Sequence, residues 1–303
     1  MKRILLACVL SALCATSRAA EEMLNIVATL PDLAAVAMQV GGPFIHLSCL
    51  ANPAEDPHFV DPKPSFAKLL NKADLLVEGG ADLEIGWLPP LVQNARNPKI
   101  LPGQPGLFRA SDGIDLKERP TGPVDRSQGD VHPMGNPHYM MDPLNAQIVA
   151  RNLAERMAKL DPEHGNQFKE NAVKFSDEID ARLTTWTKMM EPFKGVKVIT
   201  YHKSFTYFLD RFGLELFDTI EPKPGIEPSP SHIADLIKKG QGAGIKFILI
   251  EENRPRKTPE RVAKEIGAKV VILRQMPDTA GQTRYTGWIR GMIEAIQKAG
   301  KIP

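Results

Sequence analysis

Two short segments of this 303-residue chain repeat one arrangement. Asp56-Pro57-His58-Phe59 leads on to Asp61-Pro62, and Asn136-Pro137-His138-Tyr139 leads on to Asp142-Pro143. In each, a proline fixes the backbone ahead of a histidine, an aromatic follows, and an Asp-Pro pair opens a helix soon after. A third, partial case is Tyr201-His202, at the end of an apolar run and followed by Lys203-Ser204-Phe205. Imidazole nitrogen is a standard ligand for zinc. The three histidines stand about 80 and about 64 residues apart, too far for a finger or an HExxH helix, so a metal site built from them must be assembled by the fold. A single histidine beside an aromatic is more often a satisfied core or surface residue; two in near-identical contexts weaken that reading. His46, His132, His164 and His232 lack the context. Of these, His132 in a polar loop reads as solvated, with loose metal capture as the alternative.

The elements that must position these residues are legible as alternating patterns. Apolar runs at 24–29, 73–78, 196–201, 246–251 and 269–273 have few alternating polar positions, as strands buried on both faces do. Between them lie helix-period segments at 64–72, 231–240 and 258–266. Strand alternating with helix predicts an α/β fold with mostly parallel sheets, in which ligands gather beyond the carboxyl ends of strands. The alternation stops in the middle. Pro143 to Leu160 reads as a helix, and Asp161-Pro162 then signals a new start, with Asp161 as N-cap and Pro162 at the first helical position. Phe168, Ala172, Phe175, Ile179, Leu183, Trp186 and Met190 recur at spacings of three or four. About 26 helical residues span about 39 Å, enough to cross a small protein. The expectation is therefore two α/β lobes on one spine helix: an N-terminal lobe over 20–160, the spine over 161–191 and a C-terminal lobe over 192–303. Lys117 to Gly135 is a polar, Pro- and Gly-containing surface loop.

Composition excludes several classes. With 38 Lys+Arg against 36 Asp+Glu there is no basic excess for nucleic acid. At 43% apolar and 24% charged, the chain is neither disordered nor a multi-span membrane protein. Met1-Lys2-Arg3, the apolar run to Ala15 and Ser17-Arg18-Ala19 have the layout of a secretory signal peptide, 1–19. Its apolar run of about 12 residues is short of the roughly 20 that span a bilayer. A lipid-attachment pattern at Leu5-Leu6-Ala7-Cys8 would leave an apolar core of only a few residues, so cleavage after Ala19 is the reading adopted. Cleavage removes Lys2, Arg3 and Arg18, turning the +2 of the precursor slightly negative, and removes Cys8 and Cys14. Cys49 alone remains, in an apolar stretch that suits a buried small hydrophobe, so no internal disulfide is expected.

Taken together, these segments resemble the periplasmic metal-binding proteins of ABC-type zinc and manganese importers, the cluster A-I or ZnuA/TroA-like family. The residues that carry the resemblance are Ala28 to Ala34, Asp56 to Ser65, Asn136 to Pro143, Tyr201 to Phe208, Glu227 to Pro230 and Phe247 to Asn253. The resemblance implies two lobes joined by one long helix, with metal in the cleft between them. It places His58 and His138 from the first lobe and His202 from the second around the metal, with Asp278 as the matching carboxylate and Glu251 as the next candidate. Asp278 lies in Arg274-Gln275-Met276-Pro277-Asp278, whereas the commoner family form has the aspartate directly after the strand. Three neutral imidazoles and one carboxylate suit tetrahedral Zn²⁺, while Mn²⁺ favours more oxygen ligands. Manganese-preferring relatives tend to carry a carboxylate where this chain has His202. Many zinc-type relatives carry a long His-rich acidic loop where this chain has only Asp125, Asp130 and His132, which implies weak accessory capture at most. The implied role is a periplasmic solute-binding protein, not an enzyme. It would be a monomer that captures Zn²⁺ and delivers it to an inner-membrane ABC permease, with a periplasmic metallochaperone as a further partner. A manganese carrier of the same family is the first alternative; a secreted zinc hydrolase is the second.

Overall fold

A computed structural model describes residues 23–122, 129, 132–278 and 285–301. The expected signal peptide and two of the three loop residues, Asp125 and Asp130, lie outside the described residues.

The chain forms two four-stranded parallel sheets. In the first half, β1 (Leu24–Ala28), β2 (Ile45–Cys49), β3 (Leu75–Glu78) and β4 (Leu107–Arg109) take the order β2-β1-β3-β4. In the second, β5 (Lys197–Thr200), β6 (Glu215–Thr219), β7 (Phe247–Glu251) and β8 (Lys269–Leu273) take the matching order β6-β5-β7-β8. Every pairing is parallel, which requires a crossover between neighbouring strands. Helices α1 (Pro31–Gly41), α2 (Pro64–Lys72) and α3 (Leu88–Ala95) serve the first sheet. Here α4 (Pro143–Leu160) and α5 (Gly165–Met190) intervene, and α6 (Thr206–Phe212), α7 (Pro230–Gly240), α8 (Lys257–Ile266) and α9 (Tyr285–Gly300) follow. No described helix is long and apolar enough to cross a membrane.

The five expected apolar runs all became strands. Three further strands, β2, β4 and β6, were not anticipated, and all three lie on sheet edges. The fourth edge strand, β8, keeps an apolar run and is legible, so the cause is local: β2 and β6 mix polar residues through part-buried positions, and β4 is only 3 residues long.

The spine is α5, 26 residues long. Its stripe faces inward as the spacing predicts: Phe168, Ala172, Phe175, Ile179, Trp186 and Met190 are buried, and Leu183 is part-buried. It packs against α4 and α1 of the first half and α9 of the second. Its start differs from the expectation. The first helical residue is Gly165, not Pro162, because Asp161 spends its carboxylate on a turn. Asp161 accepts from the His164 backbone N–H at 3.2 Å and from its Nδ1 at 2.7 Å, and the His164 ring stacks on Phe44 at 4.3 Å. By contrast, α4 starts where its Asp-Pro signal puts it, with the Asp142 side chain accepting from Leu144 N at 3.0 Å.

One continuous apolar core runs from β1 through the spine to α9 and includes residues of both sheets. A smaller second cluster lies between the second sheet and α7–α8. A shared core of this kind resists wide separation of the two halves, because opening would expose its apolar surface.

Candidate metal site

The three histidines singled out by the sequence converge. Among the described residues, His58, His138 and His202 each offer a ligand atom within 4.8 Å of the other two, and all three are buried. Their ring centroids are 5.2, 5.3 and 5.3 Å apart, with the planes steeply inclined to one another at 65–85°. Each stands beyond the carboxyl end of a strand: His58 in the loop after β2, His138 after β4 and its long loop, His202 two residues after β5.

The Asx-Pro-His echo has a structural cause. In both copies the residue two before the histidine accepts its backbone N–H: Asp56 Oδ1 from His58 at 3.0 Å, and Asn136 Oδ1 from His138 at 2.9 Å. The proline between them narrows the backbone, so the Asx turn sets where each ring is launched. Trp87 Nε1 donates to Pro57 O at 2.9 Å, and Tyr139 Oη donates to Gly79 O at 2.7 Å, fixing both turns to the first sheet's loops. Asn136 Nδ2 donates across the cleft to Lys203 O at 2.9 Å, next to His202.

Two of the rings are held by carboxylates. Asp56 Oδ1 lies 2.8 Å from His58 Nδ1, and Glu221 Oε2 lies 2.8 Å from His202 Nδ1. A carboxylate at Nδ1 puts the proton there and turns the Nε2 lone pair outward as a ligand, the arrangement that orients metal-binding histidines. Burial works against the charge on Asp56, but the hydrogen bonds from His58 and the positive charge of Arg254 prevail and hold its carboxyl well below the usual range. His138 Nε2 is buried with no hydrogen-bond partner. Burial first, then the neighbouring imidazoles, push its pKa down, so the ring is neutral with a lone pair to give. An orphaned buried nitrogen costs free energy unless something binds it.

Other candidates stand differently. Asp278 follows β8 and is part-buried, and it is not within the 4.8 Å group. Glu251 ends β7 fully buried, and burial raises its pKa against the opposing pull of His202, Ser204 and Arg254. His132 is not solvated as its loop position suggested. It is part-buried, with Nε2 3.2 Å from His58 Nε2. Burial, reinforced by His58 and His202 and opposed by the backbone of Ala81 and Asp82, lowers its pKa to about 3. The sequence reading missed Glu221 and Arg254 altogether: neither sits beside a histidine in sequence. Cys49 has no part in the cluster. Its thiol contacts Ala51 O at 3.4 Å, and burial pushes it up to about 12.

Comparison with known proteins gives the family and the fold. Residues 26–299 match the family described as zinc-uptake complex component A, periplasmic. The chain belongs to that family. It is 23% identical over 293 residues to the zinc-binding lipoprotein AdcA of Streptococcus pneumoniae serotype 4, covering 94% of this chain and 57% of that protein. It thus spans little more than half the length of that relative. It is 25% identical over 245 residues to the manganese ABC transporter substrate-binding lipoprotein PsaA of the same organism, covering 78% of this chain and 76% of PsaA. Among solved structures, a ZnuA deletion mutant with zinc bound superposes with a TM-score of 0.77 at 24% identity, over 93% of this chain and all of that one. That likeness establishes the fold.

Proposed function

We propose that this protein is the substrate-binding component of a metal ABC importer and that its cargo is Zn²⁺, held by His58, His138 and His202. The observation that carries the reading is the convergence of three buried imidazoles from both halves of the chain, one with an unpartnered Nε2. Three nitrogen ligands favour zinc over manganese, and the Irving–Williams order acts in the same direction. The relatives include one named for zinc and one named for manganese, so the histidine at position 202 is the local feature that decides between them.

For the fourth ligand the proposal is Asp278, with Glu251 next. The 3.2 Å approach of His132 to His58 favours a second reading, in which His132 completes the site; that spacing suits two nitrogens about 2 Å from one zinc in tetrahedral geometry. The lobes are taken as 20–160 and 192–303 with 161–191 between them. Because ligands come from both lobes, bound metal changes what the mouth of the cleft presents, and an inner-membrane permease can read the difference. The protein is read as a periplasmic, non-catalytic monomer released from its signal peptide, with a metallochaperone as a further partner.

Competition of Zn²⁺ and Mn²⁺ for the metal-free protein tests the cargo. Zinc should displace manganese at equal concentration; manganese prevailing would sink the zinc assignment while leaving the site in place.

A further inference from the structure

Both carboxylates that orient the metal histidines have a second oxygen, and both of those oxygens face the same side chain. Asp56 uses Oδ1 for His58 and presents Oδ2 to Arg254 Nη2 at 3.1 Å. Glu221 uses Oε2 for His202 and presents Oε1 to Arg254 Nη1 at 3.5 Å. Asp56 belongs to the first lobe's loop after β2; Glu221 and Arg254 belong to the second lobe, after β6 and β7. One guanidinium therefore closes a chain, His58–Asp56–Arg254–Glu221–His202, that crosses the cleft behind the metal site.

Arg254 is itself well anchored. Its backbone N–H donates to Glu251 O at 3.1 Å, in the turn that leaves β7. Its guanidinium carbon lies 5.3 Å from the centre of the Tyr201 ring, next to His202 in the chain. Its Nε stands 4.0 Å from buried Glu251. The side chain is only 17% exposed, as is that of Asp56, and Glu221 is 5% exposed. An ion pair so enclosed is screened far less by salt than a surface pair, and the planar fork of arginine can address two carboxylates at once where a lysine ammonium cannot.

We propose that Arg254 is a positioning residue, an interlobe clasp that holds the carboxylates behind His58 and His202 together and so sets the spacing of the metal histidines before metal arrives. Preorganisation of this kind slows metal release without a direct contact to the metal. The clasp is read in the metal-free protein; only its consequence for release rests on the zinc-site assignment.

The test uses the full mature protein with Arg254→Met and Arg254→Lys, followed by hydrogen exchange in the metal-free state and by the zinc dissociation rate. In Arg254→Met, exchange should rise together in 52–62 and in 220–225, on opposite sides of the cleft, and zinc release should accelerate by up to about 10-fold, below the roughly 10- to 100-fold that losing a direct outer-shell partner costs, because Arg254 acts one step behind the carboxylates. Arg254→Lys should give an intermediate loosening of both segments, and it keeps the experiment decisive if the methionine variant does not fold. Exchange that rises only around 251–256, with 52–62 unchanged, would show a local structural role and overturn the proposal. So would loosening of both segments with an unchanged rate of release from a protein that binds zinc. If the wild type bound no zinc, the cargo assignment would fall, but the exchange comparison would still decide the clasp.

Discussion

Replacing Glu84 with glutamine should remove a component of stability that falls as pH rises from about 4.5 to about 7. Glu84 is fully enclosed beneath the first lobe's loops. Its Oε1 accepts from the Thr29 hydroxyl and from Gly79 N, both at 2.6 Å, and its Oε2 from Gly80 N at 3.2 Å. Burial is the largest influence and outweighs those hydrogen bonds, so the pKa rises from 4.5 to about 7. The unfolded chain loses this proton near 4.5. Between there and 7 the folded chain holds more protons than the unfolded one, and stability falls as pH rises. The contribution is fully present below 4.5 and gone above 7. A shift of that size corresponds to about 3 kcal/mol, at 1.36 kcal/mol per pH unit. The loss falls next to Gly80, Ala81 and Asp82, all at positive φ, whose backbone raises the pKa of the nearby His132. Urea unfolding of metal-free protein at several values between pH 4 and 8 would measure it. Glutamine keeps the oxygen that Thr29 and Gly79 use and removes the titration, so the difference between wild type and Glu84→Gln should carry this falling slope; Asp32, raised by burial to about 6, adds a slope of the same sign to both proteins, and the buried His132 and His138, whose pKa values are lowered, add one of opposite sign to both. Identical slopes for variant and wild type would refute the reasoning.

Asp56→Asn should weaken zinc binding about 10- to 100-fold by loosening the tautomer and aim of His58, measured by chelator competition. Trp186→Ala, at a spine residue 2% exposed, should cost about 3–5 kcal/mol in denaturant unfolding through the cavity it leaves. Asp142→Ala removes both the α4 cap and a two-pronged ion pair with Arg211, each bond 2.7 Å. It should destabilise by about 3 kcal/mol, since Arg211 loses its partner as well. Asp278→Ala should weaken zinc binding without abolishing it; if His132→Ala or Glu251→Ala gave that phenotype instead, the fourth ligand would move accordingly.

The parts of the fold most legible in the sequence were those buried on both sides. The central strands β1, β3, β5 and β7 and the long stripe of α5 need unbroken apolar patterns, so they show. Among the edge strands, β8 keeps the run Val270-Val271-Ile272-Leu273 and shows; β2 and β6 mix polar residues through part-buried positions, and β4 is only 3 residues long, so these three do not. The start of α5 was misplaced because an aspartate before a proline can hold a turn as readily as it caps a helix, and Asp161 is engaged by His164. At the site, the three histidines were visible because each is launched by a local motif. Glu221 and Arg254 were not, because their partners lie 19 or more residues away and are brought close only by parallel crossovers. His132 was misjudged for the same reason: a polar loop carries no sign of what it folds back upon.

The central claim is that His58, His138 and His202 together hold one zinc ion. Calorimetric zinc titration of the metal-free protein, run beside His58→Ala and His202→Ala, tests it most directly. The account predicts a single tight equivalent and a marked rise in melting temperature for the wild type, because ligand that binds only the folded state stabilises it. Both should be largely lost in each variant. Unchanged zinc affinity in the two variants would contradict it.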